Sequence, residues 1–502
     1  MANNGIPDTR VLLTTHGVIT RYANGKFISS YLDQLKYVYY SKKGMPKRFT
    51  LYKITTQRNK TTILILPRDA IAKLLTNSGM MLRNTLPALH HSLVLHAGDE
   101  LASFLYDDQK IIVSEILRNM TMVAGTASLN LRAGYGKTFI AGGLIHSLGV
   151  RTLYVVPTRE LAKQTVDDLC AILPSGSIVH YVDASEELAR IINGNNDACD
   201  ACDVCIAVIN TVLIASKKCG TSRISNAFSF VVLDEVHTYC SQKRSEIFWI
   251  TQTNFMFGMS ATIGDRRDGF DFAVAHHLPP LIDAEQIRGF SYGENPFTLR
   301  IHAIRFKARV DFAQNLRHET TGEIFTHYMY EQFAADEERN ELVTHCACEL
   351  YTRGHNTFIF VEERGHAEKL RDVLRDSSKI PQDEIVLFYG GTSDETRALA
   401  IAEKGARIII ATFSYCGTGI SIIRMSAIIL ASPRYSNMKQ IIGRILRRGS
   451  DTSIARDVID IVDYRTCLAH QFRIRKNAYD YYNAKYDIQI IKSGEHAAYK
   501  IQ

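Results

Sequence analysis

The stretch Leu131-Arg132-Ala133-Gly134-Tyr135-Gly136-Lys137-Thr138 sets two glycines, a lysine and a short hydroxylated residue in the order a phosphate-binding turn needs. Gly134 and Gly136 allow the backbone to pass through positive φ and aim its N–H groups at anionic oxygens. The segment 139–148 that follows reads as a helix, whose N-terminus adds partial positive charge. Lys137 can then neutralise the β- and γ-phosphates of a nucleotide such as ATP, and Thr138 is placed to hold Mg2+ through its hydroxyl. One position departs from the pattern G-x-x-x-x-G-K-[ST]: its first glycine is Leu131 here. A magnesium nucleotide also needs a carboxylate at a neighbouring strand end, and Asp234-Glu235 supplies one directly after the apolar run Phe230-Val231-Val232-Leu233. There Asp234 can hold the ion through water, and Glu235 can act as general base on an attacking water.

Side chains placed in this way call for strands followed by helices. Apolar runs at 151–156, 204–209 and 228–233 alternate with helical segments at 109–120 and 159–173, and a second series has strands at 358–361, 385–388, 407–411, 427–431 and 458–462 with a helix at 367–374. Such alternation predicts α/β domains, parallel sheets flanked by helices, with ligands at the carboxyl ends of the strands. Residues 1–95 instead alternate short β-rich runs with polar turns, including a hairpin expected from the runs 49–54 and 61–67, and read as a small accessory domain. Its Lys42, Lys43, Lys47, Arg48, Lys53, Arg58 and Lys60 lie near Tyr37, Tyr39, Tyr40 and Tyr52, a mixture that can grip a nucleic-acid backbone and stack bases. Solvated surface accounts for the same residues equally well. The division expected is therefore 1–95 accessory, 96–285 first α/β domain, 286–340 connection, 341–465 second α/β domain and 466–502 a basic, aromatic and helical tail.

Composition bounds the reading without deciding it. The 502 residues are 46% apolar and 22% charged, ordinary for a globular protein of several domains. The formal charge of +7, from 59 basic and 52 acidic residues, suits a polyanionic partner but does not demand one. No apolar run reaches membrane-spanning length, the first residues lack the pattern of a secretory leader, and ten scattered cysteines point to reduced thiols in an intracellular setting. Cys199-x-x-Cys202-x-x-Cys205 is not expected to bind metal, because Cys205 falls inside an expected strand and no second Cys-x-x-Cys pair completes a tetrahedral set.

From 106 to 465 the chain resembles the superfamily 2 helicases through an ordered set of motifs. Gly134-Tyr135-Gly136-Lys137-Thr138 resembles motif I, Pro157-Thr158-Arg159-Glu160-Leu161 motif Ia, Asp234-Glu235-Val236-His237 the DEVH form of motif II, Ser260-Ala261-Thr262 motif III, Gly417-Thr418-Gly419 motif V and Gln440 to Arg447 motif VI. The resemblance implies two tandem RecA-like domains that use ATP and Mg2+. It gives Lys137, Asp234, Glu235, Gln440, Arg444 and Arg447 to catalysis, with Arg444 and Arg447, three apart on an expected helix, as arginine fingers. It gives Gln109, Gly134, Tyr135, Gly136, Thr138 and His237 to nucleotide binding, Ser260 and Thr262 to coupling, and Arg159, Thr211 and Thr418 to the nucleic-acid backbone.

The substrate is less sharply marked. Ile263-Gly264-Asp265-Arg266-Arg267-Asp268-Gly269 resembles the segment after motif III in DNA translocases of the RecG, XPB and phage UvsW type, whereas Pro157-Thr158-Arg159-Glu160-Leu161 resembles RNA-handling DEAD-box proteins. The stretches 431–440 and 448–451 resemble the helicases of nucleocytoplasmic large DNA viruses, the poxvirus transcript-release helicase and its asfarvirus relative among them. The expectation is a 3′-to-5′ DNA helicase or translocase in viral transcript release, recombination or repair. It would work beside RNA polymerase or transcription factors, at cytoplasmic replication sites and in the virion. An RNA helicase and a non-catalytic nucleic-acid-binding scaffold are the alternatives.

Overall fold

The runs Thr152–Val156, Val204–Val208 and Phe230–Asp234 are buried at every residue, as strands are when helices cover both faces of a parallel sheet. The structure, a computed structural model, describes the chain apart from residues 1–9, 22–25, 41–45, 57–61, 79–80, 92–101, 123, 195–201, 220–222, 265, 267, 294–295, 321, 378–379, 391, 393–395, 397–401, 403–404, 417–421, 448, 496, 498 and 502. Two units emerge, Met1–Arg132 with Gly136–Tyr292, and Gly293–Gln502 with Ala133–Tyr135. Among the described residues no helix is long and apolar enough to cross a membrane.

The first unit holds a seven-stranded parallel sheet in the order Val179–Val182, Val204–Val208, Thr152–Val156, Phe230–Asp234, Phe255–Ser260, Thr126–Asn130 and Leu281–Asp283. The strands leading to the cradle and to Asp234 are thus separated only by Phe255–Ser260, which ends at Ser260. Three motifs therefore converge at the carboxyl ends of these strands, which are neighbours and run the same way.

The N-terminal region forms a five-stranded mixed sheet together with a separate two-stranded ribbon, Lys36–Tyr40 against Pro46–Thr50. The expected run 49–54 is split between that ribbon and Lys53–Thr56, which pairs antiparallel with Thr62–Leu66. Arg68 ties the region to the first parallel sheet. Its guanidinium is fully buried and donates to Gln252 Oε1 at 2.8 Å, to the Ala124 carbonyl at 2.7 Å and to the Thr253 carbonyl at 2.5 Å. Its partners among the described residues are neutral acceptors, and burial pulls its pKa down to about 9.

The second unit holds another seven-stranded parallel sheet, ordered Ile385–Phe388, Ile408–Thr412, Thr357–Val361, Ala427–Leu430, Arg456–Asp463, Leu299–Lys307 and Lys485–Lys492. Alternate residues of the same strands feed two cores: Ile359 and Val361 on one face, Phe358 and Phe360 on the other. Two elements differ from expectation. The segment 286–340, read as a connection, contributes the strand Leu299–Lys307. The tail's helix, His470–Tyr481, is followed by the edge strand Lys485–Lys492, so Tyr486 lies on a strand instead of the helix. Arg475 on that helix is buried and paired, not offered to a polyanion.

The strand Arg456–Asp463 is buried along its whole length although it carries three aspartates. Each is matched to a cation. Arg300 grips Asp457 with two bonds of 2.7 Å, with His302 and His355 at 3.0 and 3.1 Å; Arg475 holds Asp460 at 2.7 and 2.8 Å, and Arg339 holds Asp463 at 2.7 and 3.1 Å. Breaking the Arg475–Asp460 or the Arg339–Asp463 pair, each buried on both sides, would leave an uncompensated buried charge, at a cost of about 3–5 kcal/mol.

Candidate active site

The cradle begins where the strand Thr126–Asn130 ends. Leu131 is 1% exposed and its N–H donates to the Ser260 carbonyl at 2.9 Å, so the residue that replaces a glycine extends the strand pairing and fills the core. Gly134 and Gly136 take φ values of 83° and 84°, which side chains resist, and the helix Lys137–Leu148 starts immediately afterwards. A Cβ at Gly136 would lie 2.5 Å from Gln109 Nε2, so the cradle has room for that amide only because position 136 is bare. Gln109 is itself buried, with Oε1 accepting the Tyr106 N–H at 3.1 Å at the start of the helix Asp107–Met120. Tyr135 is buried, and Lys137 and Thr138 are half-buried.

The opposing carboxylates come from the strand Phe230–Asp234. Asp234 is 3% exposed; its two oxygens accept the Glu235 N–H at 2.7 Å and the Tyr154 hydroxyl at 3.3 Å. The chain then turns through a left-handed conformation at Glu235, φ 46° and ψ 48°, a strain of about 1–3 kcal/mol for a residue with a side chain. That turn brings the Glu235 carboxylate onto Lys137 Nζ in an ion pair. On its other side Glu235 Oε2 accepts the Ser260 hydroxyl at 3.2 Å, and His237 Nδ1 lies 2.6 Å from Ser260 Oγ and 3.4 Å from Glu235 Oε2. Ser260 Oγ also accepts the Thr262 N–H at 3.2 Å. One hydroxyl thus joins motifs II and III.

Burial raises both acids, and the unequal reach of Lys137 sets them apart. Burial pushes the Asp234 carboxyl up to about 6, with Lys137 only partly offsetting it. Burial acts on Glu235 in the same sense, but Lys137 and His237 outweigh it and hold that carboxyl below the usual range. Burial also lowers His237, which keeps its imidazole neutral near pH 7. The residues present fit a magnesium nucleotide: hard oxygen donors at Thr138, Asp234 and Glu235 suit Mg2+, and the bare glycine turn with a lysine at its helix start suits phosphate.

The backbone-contact candidates are brought together by a residue that sequence reasoning missed. Thr158 caps the helix Arg159–Ile172 by accepting the Leu161 N–H at 3.3 Å. Arg159 Nε pairs with Asp183 Oδ1 at 3.0 Å, and Thr211 Oγ1 donates to the Asp183 carbonyl at 3.2 Å. Nothing in spacing marks Asp183; Tyr154, by contrast, was readable as a lone hydroxyl in an apolar strand that must find a partner. Thr418 and the rest of Gly417 to Ser421 lie outside the described residues, as does Cys199. Cys205 is fully buried in its strand, and Cys202 Sγ donates to the Ile178 carbonyl at 3.8 Å.

In the second unit, Gln440 and Arg444 are 8% and 5% exposed. The expected single helix over Gln440 to Arg447 is shorter than that. The helix is Met438–Ile442, after which the Arg444 and Ile445 N–H groups bond to the Ile441 and Ile442 carbonyls at 3.2 and 3.1 Å, a tighter winding that follows Gly443. Arg447 lies beyond it, so the helical-face argument for the two arginines does not hold. The Tyr482 hydroxyl donates to the Lys439 carbonyl at 2.9 Å and backs this segment from the tail helix.

Two helix-flanked parallel sheets, one bearing a lysine turn paired with an acidic strand end, define a RecA-like helicase core that hydrolyses ATP. Residues 103–265 match the family described as type III restriction enzyme, res subunit, and residues 339–449 match the helicase conserved C-terminal domain. The chain belongs to the superfamily 2 helicases and is related to those of nucleocytoplasmic large DNA viruses. It is 32% identical over 391 residues to a protein of African swine fever virus, strain Badajoz 1971 Vero-adapted, covering 75% of this chain and 72% of that one; the name of that protein, QP509L, carries the words ATP-dependent RNA helicase. A protein of Invertebrate iridescent virus 6 named as helicase 161L is 22% identical over 429 residues, covering 80% and 85%. The fold is shared with S. cerevisiae Dbp5 bound to RNA and ADP BeF3, with a TM-score of 0.51, 15% identity, and coverage of 79% of this chain and 96% of that one.

Proposed function

We propose that the chain is a 3′-to-5′ DNA helicase or translocase whose ATP hydrolysis runs at the Lys137–Glu235 site with Mg2+. The observation that carries this is the ion pair between Lys137 and Glu235 beside buried Asp234. A bound magnesium nucleotide supplies the phosphoanhydride to be cleaved and a cation to gather its charge. Lys137 exchanges its carboxylate partner for phosphate oxygens, Thr138 and Asp234 hold the ion, and Glu235, ionised at neutral pH, takes the proton of the attacking water. His237 and Ser260 keep the Glu235 carboxylate in place. Gln109 reads the base, Arg159 and Thr211 meet the nucleic-acid backbone, and Gln440, Arg444 and Arg447 belong to the same proposal.

DNA is favoured by the segment from Ile263 to Gly269, which resembles that of DNA translocases. RNA is the second reading, favoured by the name of the African swine fever virus relative. ATPase rates with single-stranded DNA, duplex DNA and RNA separate them, the Lys137→Ala variant serving as reference. DNA should stimulate most, and Lys137→Ala should lower the stimulated rate by about 10²-fold or more. Equal rates for both proteins with every nucleic acid would leave a non-catalytic binding protein as the better account.

A further inference from the structure

In the segment 263–272, Arg266 meets the nucleotide site, and Phe270 and Phe272, a few residues on, meet the N-terminal ribbon. At the site, Arg266 Nη1 donates to the His237 carbonyl at 3.2 Å, and it is His237 that meets Ser260 and Glu235. The guanidinium is held for this, with Nε and Nη2 on the two oxygens of Asp268 at 2.9 and 2.6 Å. Asp271, 7% exposed, draws the segment in by accepting the Gly264 N–H at 2.6 Å and the Arg266 N–H at 3.4 Å.

Asp268 also accepts the Phe270 N–H at 3.2 Å, which links the guanidinium to an aromatic seat. Phe270, 3% exposed, lies 4.6 Å from the Phe49 ring and 5.7 Å from Tyr37, almost perpendicular to the latter. Phe272 lies 4.8 Å from Tyr37. Tyr37 and Phe49 are direct cross-strand partners in the ribbon, so two paired rings clamp a third. Gly269, at φ 65°, lets the segment come close, since a Cβ there would lie 3.1 Å from Tyr37 Oη. A two-stranded ribbon outside the larger sheets is marginal alone, so this seat helps to fix its place.

Packing does not require the polar end of this link, because a guanidinium at that depth could be satisfied by its own aspartate. We propose that the segment is a strut through which the N-terminal ribbon sets the position of His237, with Arg266 as the positioning residue and Tyr37 and Phe49 as its seat. Hydrolysis then depends on whether the ribbon is seated, and nucleotide binding is felt in the ribbon in return. The inference rests on the Lys137–Glu235 site being the nucleotide site.

The test uses the full chain. Hydrogen exchange of residues 36–40 and 46–50 is compared with and without a non-hydrolysable ATP analogue and Mg2+, with binding followed by calorimetry. The analogue should slow exchange in the ribbon about tenfold, and Arg266→Ala should abolish that response while keeping analogue affinity within about threefold. The double variant Tyr37→Ala with Phe49→Ala should lower kcat about fivefold with KM for ATP within about twofold, and Tyr37→Phe should keep the parental rate. Analogue binding without a change in ribbon exchange, a full response in Arg266→Ala, or a kcat loss that merely tracks a lost folded fraction would each overturn the strut alone. No analogue binding by the parent would overturn both the strut and the site reading beneath it.

Discussion

Asp234 and Asp457 both sit on interior strands of parallel sheets and are 3% and 0% exposed, yet the molecule treats them oppositely. Asp457 receives Arg300, His302 and His355, whose hydrogen bonds overcome burial and drive its pKa far below the usual carboxylate range. Asp234 receives a tyrosine hydroxyl and one backbone N–H, while Lys137 goes to Glu235, and burial wins. Asp457 is a structural charge satisfied within its own unit. Asp234 holds a charge that its surroundings disfavour until a cation arrives, the condition expected of a metal-holding carboxylate. Burial alone therefore does not mark a functional acid, but burial with too few cations does.

The comparison can be broken by substitution, and the largest effect should come at Glu235, the base proposed beside Asp234. Glu235→Gln should lower nucleic-acid-stimulated ATPase about 10²- to 10⁴-fold, and a rate within a few-fold of the parent would remove Glu235 from the chemistry. Asp457→Asn should destabilise the second unit by about 1–3 kcal/mol in denaturant unfolding, because the buried His302 and His355 lose the carboxylate oxygens they bond to. The same change at Asp234 should go the other way: Asp234→Asn, in metal- and nucleotide-free protein, should raise stability at pH 7 by about 1–3 kcal/mol while abolishing ATPase. A loss of stability there would show that Asp234 is held as securely as Asp457.

The smallest effect sharpens the contrast through pH. The Asp234 pKa is raised, to about 6, so its contribution to stability is fully present below the unfolded value of about 4 and is lost as pH rises through 6. The advantage of Asp234→Asn should therefore appear between about pH 4 and 7 and vanish below it. Asp457 is depressed, so its contribution is present above about pH 4 and fades only as pH falls further. Unfolding midpoints should show Asp234→Asn rising above the parent between about pH 4 and 7, while Asp457→Asn stays below it by a constant amount across that range and approaches it only in more acid solution.

Much of this is legible in the sequence. Strands such as Phe230–Asp234 announce themselves because both faces are buried and the run is continuously apolar, and a carboxylate pair directly after one can only sit at a strand end. Leu299–Lys307 was missed because Arg300, His302, Arg305 and Lys307 interrupt it with charge. Of these, Arg300 forms an ion pair with Asp457 and His302 hydrogen-bonds to it, some 155 residues away in sequence for the histidine, a pairing that local pattern cannot carry. The same distance effect hid Asp183 between Arg159 and Thr211. Tyr37, read as a base-stacking candidate, spends its ring on Phe270 and Phe272 instead. The winding after Ile442 escaped because a single glycine shifts a helix end by a residue or two without altering the motif around it.

The buried guanidinium of Arg68 bears on how this protein can be taken apart. Cutting the chain between the N-terminal region and the first parallel sheet would leave Gln252 and the Ala124 and Thr253 carbonyls without their donor, at about 1–3 kcal/mol for each group that water cannot reach. A foreign module grafted in its place would have to bring its own cation to the same depth. The N-terminal region is therefore not an interchangeable cassette ahead of a helicase motor: any shuffling that moves one without the other must first rebuild that joint.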